Sequence, residues 1–166
     1  ADEPTTALDV TVQRQVLMLL ARLQRSRAMT TVLITHDLGV AAGQADDIAV
    51  MYAGQIVERA PVEELFAAPS MPYTQLLMAA IPRMDHEDGH RLAAIPGRPP
   101  DLTKTAAGCR FADRCPRVTD RCRNEPPELV EFGRPGHEVR CWHPGPLDAP
   151  VSPRRNTIAE TEDGRG

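Results

Sequence analysis

Apolar residues recur at helical spacing early in the chain and at alternating spacing in its middle, and both patterns dissolve after Pro96. Val12, Val16, Leu19, Leu20 and Leu23 share one face of a helix predicted from about Val10 to Arg25, with Asp9 as its cap. The β-branched run Thr31-Val32-Leu33-Ile34-Thr35 reads as a buried strand, with His36 at its carboxyl end. Asp37 is placed to cap a helix running to about Gln44. Residues 47–52 and 55–59 then flank Ala53-Gly54, the signature of a β-hairpin closed by a tight glycine turn. Pro61 suits the first turn of a short helix to about Ala67, and Tyr73 to Ala80 predicts another that Pro82 ends. Strand, helix, hairpin and helix in this order predict part of an α/β sheet.

Most of the 16 prolines lie at or after Pro96, and all 4 cysteines lie between Cys109 and Cys141. Pro-Gly-Arg-Pro-Pro over 96–100 reads as an extended linker or rigid turn. Residues 106–146 hold few aromatics (Phe111, Phe132, Trp142) and little periodicity, so this segment needs a staple if it is to fold. Leu147 to Gly166 is almost free of apolar residues and is read as a disordered tail.

With 166 residues, 25% charged and 42% hydrophobic, the chain has the size of one ordinary domain and can bury a core. No apolar run approaches the roughly 20 residues that span a bilayer, and no signal peptide opens the chain. A peripheral subunit of a membrane machine stays open. The net charge of −4, without a basic stripe, argues against nucleic acid as a partner. Lys104 is the sole lysine among 19 basic residues, a skew that points to genomic base composition rather than function. Cysteines without an export signal suggest a reducing compartment, where thiols serve as metal ligands more than as disulfides. The opening Ala1-Asp2-Glu3-Pro4, without an initiator Met, reads as an excerpt of a longer chain.

Asp2-Glu3 supplies adjacent acids, one able to hold Mg²⁺ and the next able to polarise a water for attack on a phosphoryl group. Alone, such a pair is ordinarily a solvated surface pair, and a strand-end histidine is ordinarily a packing or capping residue. Together, Asp2-Glu3-Pro4-Thr5-Thr6-Ala7-Leu8-Asp9, a helix, and Thr31-Val-Leu-Ile-Thr-His36-Asp37 closely resemble the ATP-binding subunit of an ABC transporter. The resemblance implies an α/β fold, the C-terminal part of a P-loop NTPase domain, followed by a small Pro/Cys-rich irregular extension. It implies Asp2 as the Mg²⁺-site acid of the Walker B strand, Glu3 as general base, Asp9 as the D-loop acid, and His36 as the switch histidine that contacts the γ-phosphate. Thr6 stands where serine is more usual in that family. Met51-Tyr-Ala-Gly-Gln-Ile-Val-Glu58 also resembles the family's segment after the switch histidine. The Gly-x-x-x-x-Gly-Lys-Ser/Thr cradle and the family's signature motif are absent from this sequence, so it is predicted not to bind or hydrolyse ATP usefully alone.

Pro69-Ser-Met-Pro72-Tyr73-Thr74-Gln75-Leu76-Leu77 resembles the oligopeptide/dipeptide importer subfamily, with Met71 in place of the usual histidine. Tyr73 and Leu76-Leu77 are read as a packing face. Ile95-Pro-Gly-Arg-Pro-Pro100, Gly108-Cys109-x-Phe111-x-x-Arg114-Cys115, Cys122, Pro126-Pro127 and His137-x-x-x-Cys141-Trp142 match that subfamily's extension. The spacing of Cys109, Cys115, Cys122 and Cys141 does not fit the common zinc ribbon, and four thiolates can hold [4Fe–4S], [2Fe–2S] or Zn²⁺. The resemblance implies a [4Fe–4S] cluster, with zinc or plain reduced or disulfide-paired cysteines as alternatives. Arg110, Arg114, Arg117, Arg121 and Arg123 crowd the motif, either as solvated surface or as charge compensation for a cluster. His137 and His143 are read as structural, and His86 and His90 are given no role.

The implied organisation is residues 1–60 as the C-terminal part of a nucleotide-binding domain, 61–95 as a helical connection, 96–146 as the Cys-rich extension, and 147–166 as a tail. The implied protein uses ATP with Mg²⁺ and works with a second ATPase domain and transmembrane permease subunits at the cytoplasmic face of the membrane. An extracytoplasmic peptide-binding protein enters indirectly. The competing readings are a truncated metal-binding interaction module without ATPase function, and an importer ATPase for nickel or another small solute.

Overall fold

The computed structural model describes residues 1–81, 94–101, 103 and 106–147. Pro82, His86, His90, Lys104 and the predicted tail beyond Leu147 lie outside the described residues.

Helix α1 (Val10–Arg27) begins where the Asp9 carboxylate accepts the Thr11 and Val12 amides at 2.9 and 3.1 Å. It ends at Ala28, in the left-handed region at φ 49°, with the Met29 amide closing back onto the Gln24 carbonyl. The helix is as predicted, but Leu17 is its only buried residue. Leu19, Leu23 and Val12 of the predicted apolar face stay exposed, because none of the described elements covers them. Helix α2 (Leu38–Gln44) is capped by Asp37, whose carboxylate accepts the Gly39 and Val40 amides.

The predicted strand at 31–35 is reduced to a single parallel bridge between Asp2 and Ile34. The Ile34 amide donates to the Ala1 carbonyl and the Glu3 amide to the Ile34 carbonyl, both at 2.9 Å. A β-branched run becomes a ladder only as far as it has a partner, and among the described residues only 1–3 lie alongside it.

The centre of the molecule is a four-stranded sheet in the order β1-β2-β4-β3. β1 (Asp47–Tyr52) and β2 (Gln55–Pro61) form the predicted hairpin, with Ala53 and Gly54 both at positive φ (49° and 77°), as a two-residue primed turn requires. Along β1 the burial alternates strictly, placing Ile48, Val50 and Tyr52 inward. On β2 the alternation breaks. Val50 pairs with Glu58 and Met51 with Ile56, so Val57 is the extra residue of a bulge, and Val57 and Glu58 are both buried. Helices α3 (Val62–Ala67) and α4 (Pro72–Ala79) follow, the first contributing the fully buried Leu65 and the second starting on a proline.

The Cys-rich segment does not hang apart from this framework. After a 3₁₀ turn (Ala112–Arg114) and α5 (Asp120–Asn124), strands β3 (Val130–Glu131) and β4 (Glu138–Val139) form a second hairpin. β4 then pairs with β2, Val139 opposite Glu58 and Glu138 opposite Arg59. Phe111 is 1% exposed and shares one core with Ile48, Val50, Tyr52, Val57, Leu65, Met71, Leu76 and Val139. Its ring meets Tyr52 edge-on at 5.1 Å and Tyr73 at 5.4 Å. Met71, in the position where the resemblance expects histidine, is 1% exposed and fills this core. Among the described residues no helix is long and apolar enough to cross a membrane.

Candidate functional site

Two segments of the chain meet at the carboxyl side of the short parallel bridge. Glu3 follows Asp2 there, and His36 follows Ile34 by two residues, so the bridge alone sets their side chains together. His36 Nδ1 lies 3.0 Å from Glu3 Oε1. An ionised carboxylate can only accept, so Nδ1 carries the proton and donates, which leaves Nε2 facing outward. The Thr6 hydroxyl donates to Glu3 Oε2 at 2.9 Å. These two hydrogen bonds, His36 first and Thr6 second, hold the Glu3 carboxyl below its ordinary pKa, so it is ionised at neutral pH. Both side chains remain open to solvent, His36 at 77% and Glu3 at 46%.

Asp2 contributes its backbone to the bridge, and its exposed carboxylate has no partner among the described residues. Asp9 is committed by Oδ1 to the start of α1. Asp2, Glu3 and His36 are thus brought to one edge, while Asp9 stands at the head of the neighbouring helix.

The four thiols form a second grouping. The Cys109 amide donates to the Cys122 carbonyl at 2.7 Å, and the approach is close enough that only glycine fits at 108. A Cβ there would stand 2.3 Å from the Cys122 carbonyl oxygen and 2.6 Å from the Arg123 backbone. Burial raises the pKa of Cys109, Cys115 and Cys141, the last to about 11, and the neighbouring thiols raise these three further. Cys141 feels Cys115, Cys109 and Cys122 alike. Backbone N–H groups of Phe111 and Ala112 near Cys109, and of Arg117 near Cys115, oppose part of that rise. The His143 amide donates to Cys141 Sγ at 3.3 Å, and Cys122 Sγ lies 3.3 Å from the Thr119 hydroxyl. Among the described residues no three His, Cys, Asp or Glu side chains close around a space fitted to one metal ion.

Of the arginines around the thiols, Arg121 and Arg123 are exposed, as the solvated-surface reading has it, whereas Arg110, Arg114 and Arg117 are half-buried and hold backbone carbonyls. Arg114 donates to the carbonyls of Pro96 (2.8 Å) and Ile95 (3.1 Å), Arg110 to the carbonyl of Ala53 in the hairpin turn, and Arg117 to Gly145 at 3.1 Å. Arg121 lies over the Trp142 ring at 3.4 Å and Arg123 pairs with Asp113. Guanidinium groups satisfy carbonyls that irregular backbone leaves without ladder partners, and this is how a segment poor in regular structure is held.

Residues 57–122 match the family described as the oligopeptide/dipeptide transporter, C-terminal region. The chain is also 48% identical over 142 residues to the probable peptide ABC transporter ATP-binding protein y4tR of Sinorhizobium fredii, covering 86% of this chain and 42% of that protein. It is 48% identical over 144 residues to the dipeptide transport ATP-binding protein DppD of Escherichia coli, covering 87% and 43%. It is 49% identical over 140 residues to the oligopeptide transport ATP-binding protein OppD of Mycobacterium tuberculosis, covering 84% and 23%. The chain belongs to the oligopeptide/dipeptide ABC-transporter ATP-binding family. It spans less than half the length of these curated relatives.

In this oligopeptide/dipeptide family member Glu58, at the end of the segment that resembles the family, has a structural role that no motif marks. It is fully buried and accepts three hydrogen bonds: from the Ser70 amide (2.6 Å), the Met71 amide (3.2 Å) and His137 Nε2 (2.7 Å). His137 is structural, as expected, and its partner is this carboxylate. The bulge at Val57 is the signal that turns Glu58 inward, and nothing in a single sequence marks a bulge of this kind.

Proposed function

We propose that this chain is the C-terminal part of an ABC importer ATPase subunit that couples ATP hydrolysis to uptake of oligopeptides or dipeptides. The observation that carries this reading is the open Glu3–His36 pair, held at 3.0 Å at the ends of two parallel segments. Glu3 is ionised and reachable, so it can take a proton from water as the water oxygen bonds to the γ-phosphorus and the bond to the ADP oxygen breaks. His36 holds Glu3 through Nδ1 and presents Nε2 toward a γ-phosphate oxygen. The carboxylate of Asp2 would hold Mg²⁺, which supplies charge neutralisation on the phosphates. Asp9 caps α1 through Oδ1, leaving Oδ2 for a contact across a dimer with a second ATPase domain.

The remaining parts of the reading follow from the family. Residues 1–60 are the end of the nucleotide-binding domain, 61–95 a helical connection and 96–146 an extension folded back onto the domain's hairpin. The partners are transmembrane permease subunits and, indirectly, an extracytoplasmic peptide-binding protein, with the ATPase peripheral at the cytoplasmic face. Cys109, Cys115, Cys122 and Cys141 would hold a [4Fe–4S] cluster rather than one zinc ion. In support, the four thiols stand within electrostatic reach of one another, the Cys141 sulfur receives the His143 amide and the Cys122 sulfur shares a hydrogen bond with Thr119.

The test is Glu3→Gln in the complete ATPase subunit. Retained ATP binding with hydrolysis lost by roughly 10²-fold or more is the expected result. Hydrolysis at the unmodified rate would remove Glu3 from the role of base.

A further inference from the structure

Glu3 is fastened at four points. Its amide donates to the Ile34 carbonyl at 2.9 Å, and its own carbonyl accepts the Thr6 amide at 3.2 Å. His36 holds Oε1 at 3.0 Å, and the Thr6 hydroxyl holds Oε2 at 2.9 Å. Two of the four contacts therefore come from one residue. Thr6 closes the Glu3-Pro4-Thr5-Thr6 turn through the backbone and grips the carboxylate through the side chain.

The turn places Glu3 at φ 42°, in the left-handed region where a residue with a Cβ is strained. Such a conformation persists only where neighbours over-determine it, and strained residues of this kind cluster at functional sites. We propose that the Thr6 hydroxyl is a positioning group for the Glu3 carboxylate, fixing its plane so that the free lone pairs face one place. This rests on the reading of Glu3 as the general base. An ionised carboxylate offers about four lone-pair sites, of which His36 and Thr6 take two. The rest are left in a direction set by two donors on opposite oxygens rather than by one. A single donor from His36 would leave the carboxylate free to rotate about its last bond.

Threonine suits this task because its branched Cβ restricts χ1, so less side-chain freedom is lost on holding the bond.

The experiment is steady-state ATP hydrolysis in the complete ATPase subunit carrying Thr6→Val, Thr6→Ser, Thr6→Ala or Glu3→Gln. For Thr6→Val, kcat is expected to fall roughly tenfold at unchanged KM for ATP, the scale of a displaced catalytic group. Thr6→Ser keeps both kcat and KM. ATP binding measured on each variant separates a lost position from a lost fold, and Thr6→Ala serves should the valine variant not fold. A Thr6→Val or Thr6→Ala enzyme with unchanged kcat overturns the proposal. So does a slower enzyme whose KM for ATP rises in step and which Thr6→Ser does not rescue, because that is the behaviour of a purely structural turn. Glu3→Gln distinguishes the two levels. Hydrolysis surviving in it removes the base itself, whereas its loss alongside an unaffected Thr6→Val removes only the role of Thr6.

Discussion

Among the described residues the same chemical pair occurs twice. Glu3 meets His36 at 3.0 Å and Glu58 meets His137 at 2.7 Å, each a carboxylate on an imidazole. The first pair is open, with side chains 46% and 77% exposed, and the second is sealed, at 0% and 3%. Glu58 spends its remaining acceptor capacity on the Ser70 and Met71 amides, so no outside group can reach it. It ties the first hairpin, the junction before α4 and the β3–β4 hairpin into one body. Glu3 spends part of its capacity on Thr6 and keeps the rest facing solvent. Identical pairs thus divide by surroundings: the sealed one is a fastening, and the open one is available for chemistry.

Mutating the two pairs should separate them sharply. Glu58→Ala leaves two buried amides and a buried imidazole unpartnered, and is expected to lower stability by about 3–5 kcal/mol in urea unfolding. Equal stability in that variant would reduce the sealed pair to a bystander. Gly108→Ala drives a Cβ into the backbone of the Cys122 turn and is expected to cost about 1–3 kcal/mol in urea unfolding, while leaving the His36 NMR resonances in place. Asp9→Ala, which removes the cap of α1, should cost about 1 kcal/mol, read in the helical circular-dichroism melt.

The effects of pH are smaller and opposite in sign for the two regions. Cys141 holds its proton to about 11 in the fold against 9.0 ordinarily, so the folded state binds more protons in that window. Stability of the metal-free chain therefore falls as pH rises from about 9 to 11, weakened by solvent because Cys141 is only partly buried. Glu3 behaves in reverse. Its pKa is lowered, so the His36 hydrogen bond is present above the ordinary carboxylate range and is lost as pH falls through the lowered value, which a His36 NMR titration reads. Glu3→Gln should leave the melting temperature unchanged, the smallest effect of the set and the direct counterpart of Glu58→Ala.

What could be read from the sequence was local. Asp9 and Asp37 announce their helices because a cap and its amides lie within three residues, and Ala53-Gly54 announces its turn because two positive φ angles need such residues. The Glu3–His36 meeting was legible only through the family motif, since no periodicity joins residues 33 positions apart. The β2–β4 pairing was not legible at all. β4 is two residues long, and its partner strand is chosen by Phe111, His137 and the arginine-to-carbonyl bonds rather than by its own pattern. The predicted strand at 31–35 shows the converse, a strong local pattern whose ladder extends only where a neighbour runs beside it.

The 79 positions between Glu58 and His137 also set a schedule for synthesis. At roughly 5–20 residues per second, the first hairpin leaves the ribosome roughly 4–16 s before its histidine does. Throughout that interval β2 has a bare edge toward the place of β4, and Glu58 sits inside an unfinished fold without its main partner. An early hairpin therefore has to remain loose or hydrated until the last stretch arrives. Truncation upstream of His137 would freeze the nascent chain in that state, with an unpaired strand edge exposed to other chains.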